Sequence, residues 1–458
     1  MDKTIAYITL GCKLNYAETS TYERALADAG LEAVSWTSGA DIYLVNTCSV
    51  TEHSDKKCRN IIRKLHRLSP DAKIYVTGCY AELKGDEIRA IPGVEAVFGA
   101  NEKSQVVPAI KAGIEQEHAA NGDSAVDNAT ADGQCKTGIE NEDNSSKPEK
   151  EDINIEDNSR EKGYFGAYST GERTRSFLKV QDGCDFRCNY CTVPLARGGS
   201  RNEPISAIVE KAEMIAASGS KEIVITGVNT GDFGKSTGES FFDLLKALYN
   251  VDGIERYRIS SIEPNLLTEE MVDWIVKGNK FLPHFHIPLQ SGCDAVLKEM
   301  GRRYTTAEFA SKIRYIRDAF ASSGKYGNEE VFFGIDVIVG FPGETDEMFE
   351  QTYNFLKDVI KPAFIHIFPY SKRAGTVAAA RKDQVQDSKK TDRVERLEAL
   401  CSELHESFES RHKGMKAKVL FESKEKGGMM SGYTENYIRV TEPYREDAIG
   451  RITEVTIG

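Results

Sequence analysis

No apolar run in this 458-residue chain reaches the roughly 18–20 residues that a bilayer-spanning helix needs. The apolar stretch within "MDKTIAYITLGCKLN" at the amino end is too short for a secretory signal and reads as a buried strand. Both absences point to the cytoplasm rather than to a membrane or the cell exterior. Histidine is scarce, eight residues in all, and none is assigned a catalytic role. A second CxxC-like pair is also lacking. The stretch "CDFRCNYC" (184–191) brings three cysteines together, whereas a closed structural zinc site takes four ligands. Zinc there would need a distant fourth ligand such as His286. Ten cysteines in a reducing compartment argue against disulfides and for metal binding or catalysis.

The formal net charge of −12 speaks against nucleic acid until its distribution is considered. Residues 115–162 hold fourteen acidic and five basic side chains, a net −9, which leaves −3 on everything else. The basic runs "KKCRNIIRKLHR" (56–67), "GRR" (301–303), "SKR" (371–373) and "RHKGMKAK" (411–418) are therefore candidates for phosphate contact, although any single one is more simply a solvated face.

Hydropathy patterning divides the chain into an α/β fold of three parts. Residues 1–112 alternate apolar runs (4–10, 41–46, 73–78, 94–99) with helical stretches near 16–29, 52–68 and 82–90, the pattern of a parallel sheet with crossover helices. Residues 113–163 are poor in aromatics and rich in Asp, Glu, Asn, Ser and Gly, which predicts a disordered linker or insertion containing Cys135. Over 164–384, runs at 175–183, 222–228, 256–262, 284–290, 331–341 and 363–370 alternate with helices. Six such units predict a partial parallel barrel whose site lies at the carboxyl ends of its strands. A charged amphipathic helix follows over 385–415, with Leu397, Leu400, Leu404 and Phe408 on one stripe and Cys401 beside it as a core thiol; it connects to short β runs over 416–458, a small antiparallel barrel.

Cys12, Cys48 and Cys79 each fall just past the end of a predicted parallel strand. In an open α/β sheet those ends face one crevice, so three thiols far apart in sequence can converge. Three buried core cysteines is the plainer alternative. The second set, Cys184, Cys188 and Cys191, follows the first barrel strand. Three thiolates suit an iron–sulfur cluster that keeps one iron open.

The CxxxCxxC motif with Tyr190 before its last cysteine resembles the radical S-adenosylmethionine enzymes. Three further cysteines in a preceding α/β domain, with a small terminal β barrel, resemble the methylthiotransferases of that superfamily. The motifs carrying this resemblance are "GCKLN" (11–15), "VNTCSVT" (45–51), "TGCY" (77–80), "GCDFRCNYCTVPLARG" (183–198), "HIPLQSG" (286–292), "MGRRYT" (300–305), "DVIVGFPGET" (336–345) and "FPYSKRAGT" (368–376). "GCKLN" and "SSIEP" (260–264) are similar to the tRNA N6-threonylcarbamoyladenosine branch, and the long acidic insertion departs from the pattern.

The resemblance implies a radical-SAM partial barrel, a TRAM-like terminal domain and two 4Fe-4S clusters. One, on Cys184, Cys188 and Cys191, binds S-adenosyl-L-methionine and cleaves it to a 5′-deoxyadenosyl radical. The other, on Cys12, Cys48 and Cys79, carries sulfur. The chemistry belongs to these cofactors, and no catalytic residue is assigned beyond the cluster ligands. Tyr190, Thr226, Asn229, Ser261, Glu263, Gln290 and Asp336 are the candidates for the S-adenosylmethionine pocket. The implied partners are a tRNA anticodon loop, an electron donor such as a flavodoxin or ferredoxin, and a sulfur source of unknown identity. Tyr433, Tyr437, Arg439 and Arg445 in the terminal barrel are the candidates for gripping the RNA. Open alternatives are the same chemistry on N6-isopentenyladenosine or on a ribosomal-protein aspartate, and a non-enzymatic metal-dependent RNA-binding module.

Overall fold

The computed structural model describes residues 3–122, 163–170, 174–278, 280–324, 330–422 and 427–458, without the side chains of 118–122. Five parallel strands open the chain: β1 (Thr4–Thr9), β2 (Glu32–Ala33), β3 (Ile42–Thr47), β4 (Lys73–Gly78) and β5 (Val94–Phe98), in the order β2-β1-β3-β4-β5. β2 is only two residues long, too short to leave a hydropathy pattern, and the sequence did not predict it. The order reverses between β1 and β3, and in such sheets that switch point is where ligands sit. Helices α1 (Lys13–Ala27), α2 (Glu52–Leu68), α3 (Cys79–Arg89) and α4 (Val106–Gly122) cross between or follow the strands. In α2 the Thr51 hydroxyl caps the Ser54 amide, and Glu52 and Asp55 face the positive end of the helix. Its Cys58, Ile62 and Leu65 lie on one stripe, buried with Tyr43, Ile74 and Val76 of the sheet.

Helix α4 runs past the expected linker boundary at 113. Glu117 on it pairs with Lys3 and, at 2.7 Å, with Lys73, so this turn belongs to the first lobe. The rest of the expected linker, with Cys135, lies outside the described residues.

Six parallel strands follow, as the alternation predicts: β7 (Arg175–Lys179), β8 (Glu222–Thr226), β9 (Arg256–Ile259), β10 (His284–Gln290), β11 (Phe332–Val339) and β12 (Phe364–Pro369). They are preceded by a two-residue antiparallel strand, β6 (Ala167–Tyr168). Ladders join β6-β7-β8-β9 and β10-β11-β12, and the parallel bridge Ser261–His286 joins the two sets. Outward-facing Phe285, Ile287, Ile335, Val337 and Ile365 form the main core with the surrounding helices. The long helix Asp387–Ser410 packs Leu397 and Leu400 into that core, and Cys401 Sγ lies 3.2 Å from the Ile365 amide, a core thiol.

The last 40-odd residues form a four-stranded antiparallel sheet: β13 (Lys416–Phe421), β14 (Met429–Tyr433), β15 (Arg439–Pro443) and β16 (Ile452–Thr456), in the order β15-β14-β13-β16. The sheet closes the amino end of the barrel, away from the cysteines. Arg258, 1 % exposed, donates to the Thr434 carbonyl at 2.7 Å and to Glu222 at 2.7 Å. Arg256 donates to the Lys418 carbonyl at 2.8 Å, and Arg175 to Glu422 at 2.8 Å. Tyr437, in the left-handed region at φ +68°, stacks on Tyr433 and lies under Arg175 and Arg258. The expectation that Tyr437 grips RNA is therefore corrected: it is part of the barrel floor. Arg439 and Arg445 remain exposed.

Candidate active site

Each cysteine of the first set sits one to three residues beyond a neighbouring strand. Cys12 precedes α1 after β1, Cys48 follows β3, and Cys79 is the first residue of α3 after β4. Two glycines allow the close approach. Gly11 has φ +120°, and a Cβ there would fall 2.7 Å from Cys48 Cβ and 3.0 Å from its Sγ. Gly78 has φ +103°, and a Cβ would strike the Thr47 carbonyl at 2.3 Å. Burial pushes the Cys48 thiol up to about 12, with Cys79 and Cys12 adding to the effect, as converging thiols do. Cys12 and Cys79 stand at helix N-termini, and burial pushes the Cys79 thiol up more than Arg197 and Lys103 lower it.

The second set follows β7. Cys184 Sγ accepts from the Phe186 amide at 3.4 Å, and Cys191 Sγ from the Val193 amide at 3.5 Å. Burial pushes both thiols up to about 12. A metal must displace those protons, so loading releases acid.

One cavity of about 320 Å³ is lined by Cys79 of the first set, by Ser49, Val50 and Thr51 just after Cys48, and by all three cysteines of the second set. Of the expected pocket residues, Tyr190, Asn229, Ser261, Glu263, Gln290 and Asp336 line it. Thr226 does not: it is buried, and its hydroxyl donates to the Val224 carbonyl at 3.2 Å. Gln290 adopts φ +68°, where the β10–β11 register shifts, and strain of this kind gathers at functional clefts. Glu263 is engaged by Arg302, and burial raises its carboxyl more than Arg302 lowers it.

Several residues that matter here escaped the sequence reading. Arg197, on the short helix α5 (Val193–Arg197), donates to Cys79 Sγ at 3.1 Å and to Asn15 Oδ1 at 2.9 Å. The same Asn15 oxygen accepts from Cys12 Sγ at 3.4 Å, so one chain of contacts joins the two lobes through the first cysteine set. Arg302, expected only as part of a basic run, donates to Cys188 Sγ at 3.4 Å. Arg373, from another basic run, pairs with Asp55 at 2.9 Å and pins the loop after Cys48. The one sequence signal available was an arginine a few residues after a cysteine motif, where N–H···S contacts arise.

Behind Cys79 lies a buried ionic cluster between the lobes. Glu18 accepts from Lys103 at 2.7 Å and Lys179 at 2.8 Å, and lies 3.3 Å from Arg197. Asp182 pairs with Lys179 at 2.7 Å, Arg197 at 2.9 Å and Arg201 at 3.6 Å. Burial alone would raise the Glu18 carboxyl, yet Lys103, Lys179 and Arg197 together hold it well below the usual range. Four cations meet two carboxylates, and the surplus of positive charge stands behind Cys79.

These residues fit two iron–sulfur clusters. Six thiols lie in two open sets, N–H donors aim at sulfur, and a cationic surplus suits an anionic cluster. On the cavity wall Asn229 Nδ2 is buried with no hydrogen-bond partner among the described residues, a donor suited to a polar cofactor such as S-adenosylmethionine.

Residues 178–356 match the model of the Radical SAM superfamily, and residues 4–99 that of the uncharacterized protein family UPF0004. The chain is 37% identical to the threonylcarbamoyladenosine tRNA methylthiotransferase MtaB of Bacillus subtilis, across 99% of this chain and 93% of that one. It is 35% identical to MtaB of Thermotoga maritima, across 95% and 91%. With the tRNA-2-methylthio-N(6)-dimethylallyladenosine synthase of a Jannaschia species it shares 30% identity, across 100% and 92%. In fold it is similar to the radical S-adenosylmethionine methyltransferase TsrM of Kitasatospora setae, at a TM-score of 0.53 and 15% identity, covering 83% of this chain and 77% of that one. With the cysteine sets, the shared cavity and these full-length matches together, the chain belongs to the radical S-adenosylmethionine methylthiotransferase family of tRNA-modifying enzymes.

Proposed function

We propose that this enzyme converts N6-threonylcarbamoyladenosine beside the tRNA anticodon to its 2-methylthio derivative. The observation that carries the reading is the cavity lined both by Cys79 of the first set and by all three cysteines of the second, because a sulfur carrier and a radical source must reach the same carbon. Four MtaB relatives at 32–37% identity support the choice of nucleoside. When bound, the clusters and S-adenosylmethionine supply the C–H cleavage and the sulfur that side chains cannot.

The chain's own residues bind, orient and exclude water. Cys12, Cys48 and Cys79 would hold one cluster and Cys184, Cys188 and Cys191 the other. Asn229, Ser261, Gln290 and Asp336 face the cofactor's space, with Tyr190 packed beside them. Arg197 and Arg302 stabilise sulfur charge by N–H···S contacts. The first lobe carries the sulfur-bearing set, the barrel the radical set, and the terminal sheet closes the barrel floor. Exposed Lys56, Lys57, Arg63 and Lys64 on α2, the helix that begins at the cavity rim, are suited to RNA phosphates. No helix among the described residues is long and apolar enough to cross a membrane, in keeping with a cytoplasmic setting where tRNA and a flavodoxin- or ferredoxin-like electron donor are present.

The test is mass analysis of tRNA nucleosides from cells with and without the gene, together with iron analysis of the purified protein. The expected outcome is a 2-methylthio-N6-threonylcarbamoyladenosine signal that depends on the gene and about eight irons per chain. A gene-dependent signal for the isopentenyl product instead would overturn the choice of substrate, and one or two zincs without sulfide would overturn the enzyme.

A further inference from the structure

We infer that the barrel lumen below the cysteine cavity is a carboxylate pocket whose ligand is Lys13, and that it takes the free carboxylate of the threonylcarbamoyl substituent. This rests on the function proposed above and goes beyond it by assigning the residue that reads the substituent.

Barrels of this kind usually fill their interior with branched aliphatic side chains. Here the inward faces of β10, β11 and β12 carry His284 and His286, Gly334 and Asp336, and His366. His286 Nε2 lies 2.7 Å from Asp336 Oδ1, and the rings of His286 and His366 stack at 4.8 Å. The His286 and Asp336 side chains keep 21 % and 18 % of their surface although they face inward, so there is open space beside them. Asp336 also lines the cysteine cavity, and so the two spaces meet.

Helix α1 covers the open side of the partial barrel. Tyr16 packs edge-on against Phe177 of β7 at 5.5 Å, and Ala17 is buried with Phe177 and Val224. Lys13 is three and four residues before these two, on the same helix face. It is deeply enclosed yet keeps some accessible surface, as a side chain facing an internal space does. Its electrostatic neighbours are Tyr437, Arg175, Arg258 and Asp336. Among the described residues it has no hydrogen-bond or ion-pair partner, whereas Arg175 is paired with Glu422 and Arg258 with Glu222. Burial, with Arg175 and Arg258, works against the charged form of Lys13, and Asp336 supports it; a ligand carboxylate would add counter-charge at an amine that has no direct partner.

On the floor side of Lys13 the neighbouring charges are positive, while Asp336 is the carboxylate on the other side. Burial should raise the Tyr437 phenol, but Arg175, Lys13 and Arg258 outweigh it and the phenol ends below its usual value. Burial lowers both His284 and His366; Arg258 and Lys13 add to it at His284, and at His366 His286 and Lys13 add to it while Asp336 opposes. The ligand atoms of His286, Asp336 and His366 lie within 4.8 Å of one another, a set that a divalent cation could use, but Lys13 among the neighbours of His366 works against one. Neutral imidazoles and an ammonium instead make a donor set for a carboxylate. Lys13 adjoins Cys12, which places the bound substituent beside the sulfur-carrying set.

The test compares two synthetic anticodon stem-loops on the reconstituted full-length enzyme. One carries N6-threonylcarbamoyladenosine, the other the same nucleoside with its carboxylate converted to the primary amide. Binding is read by fluorescence anisotropy and turnover by nucleoside mass analysis. The parent protein should prefer the acid by about ten- to a hundred-fold, the worth of one charge-assisted contact. Lys13→Gln should bring the ratio near one, and Lys13→Arg should keep most of it. Because the ratio compares two RNAs on one protein, any change in cluster loading beside Cys12 cancels, and because the amide keeps every phosphate, backbone contacts cancel too. An unchanged ratio in Lys13→Gln, or a parent ratio near one, overturns the pocket. If the parent methylthiolates an isopentenyladenosine stem-loop and not the threonylcarbamoyl one, the function reading fails; if it methylthiolates the threonylcarbamoyl RNA while Lys13→Gln keeps the ratio, only the pocket does.

Discussion

Replacing Glu18 with glutamine removes one charge from the centre of the lobe interface and changes almost no volume. In the parent, one carboxylate oxygen faces Lys103 and Lys179 at 2.7 and 2.8 Å, and Arg197 at 3.3 Å. Lys103 and Lys179 are essentially without solvent contact. After the change only Asp182 opposes four cations, and Lys103, 3.8 Å from Asp182, loses its close partner. Breaking a fully buried pair by removing one member costs about 3–5 kcal/mol, because the charge left behind has neither water nor counter-ion. The assay is equilibrium urea unfolding followed by tryptophan fluorescence. The chain's two tryptophans are Trp36 in the first lobe and Trp274 in the barrel, so each lobe has its own reporter. Glu18→Gln should lower the midpoint at both, and adding Lys103→Met should recover part of the loss. The pH dependence has a definite sign. The folded carboxyl is depressed, so its contribution is present above the ordinary glutamate value of about 4.3 and is lost as pH falls through the lower folded value. The parent should therefore lose its advantage over the variant in acid. A variant within about 0.5 kcal/mol of the parent at neutral pH would refute the reasoning.

Cys184→Ala should abolish reductive cleavage of S-adenosylmethionine by the reconstituted enzyme, and undiminished 5′-deoxyadenosine would count against the barrel cluster. The triple variant Cys12→Ala, Cys48→Ala, Cys79→Ala should still cleave the cofactor yet yield no methylthio nucleoside; normal product formation would show that the first set is not the sulfur carrier. Replacing residues 123–162 with a short flexible linker should leave folding and activity nearly unchanged, since their composition cannot support a packed core, whereas extending the deletion to 115 should lower thermal stability by removing the Glu117 pairs with Lys3 and Lys73. Truncation after residue 415 should sharply reduce soluble yield, because it strips the carbonyl partners from buried Arg256 and Arg258 and removes Tyr437 from the barrel floor; a stable, fully soluble truncated protein would overturn that account.

The sequence by itself determined the elements and the placement of the two cysteine sets at strand ends. Strand–helix alternation is local, so the four longer strands of the first lobe and all six barrel strands were legible. Cysteines at successive strand ends announced their own convergence, because parallel strands deliver their carboxyl ends to one edge. The tertiary structure alone decided which polar groups meet. Arg197 lies 118 residues from Cys79 and Arg302 114 from Cys188, and no periodicity links them. Thr226 sat at the right strand end yet turned its hydroxyl to its own backbone, a choice of rotamer that sequence position does not reveal. The terminal sheet was legible as β structure, but its seat at the barrel floor was not. That seat depends on Arg175, Arg256 and Arg258, each the first or third residue of its strand. Lys13 reads in sequence as an ordinary helix-start lysine. Only when α1 is laid across the open side of the barrel does its charge become enclosed, for the cost of a buried charge is a property of everything packed around it.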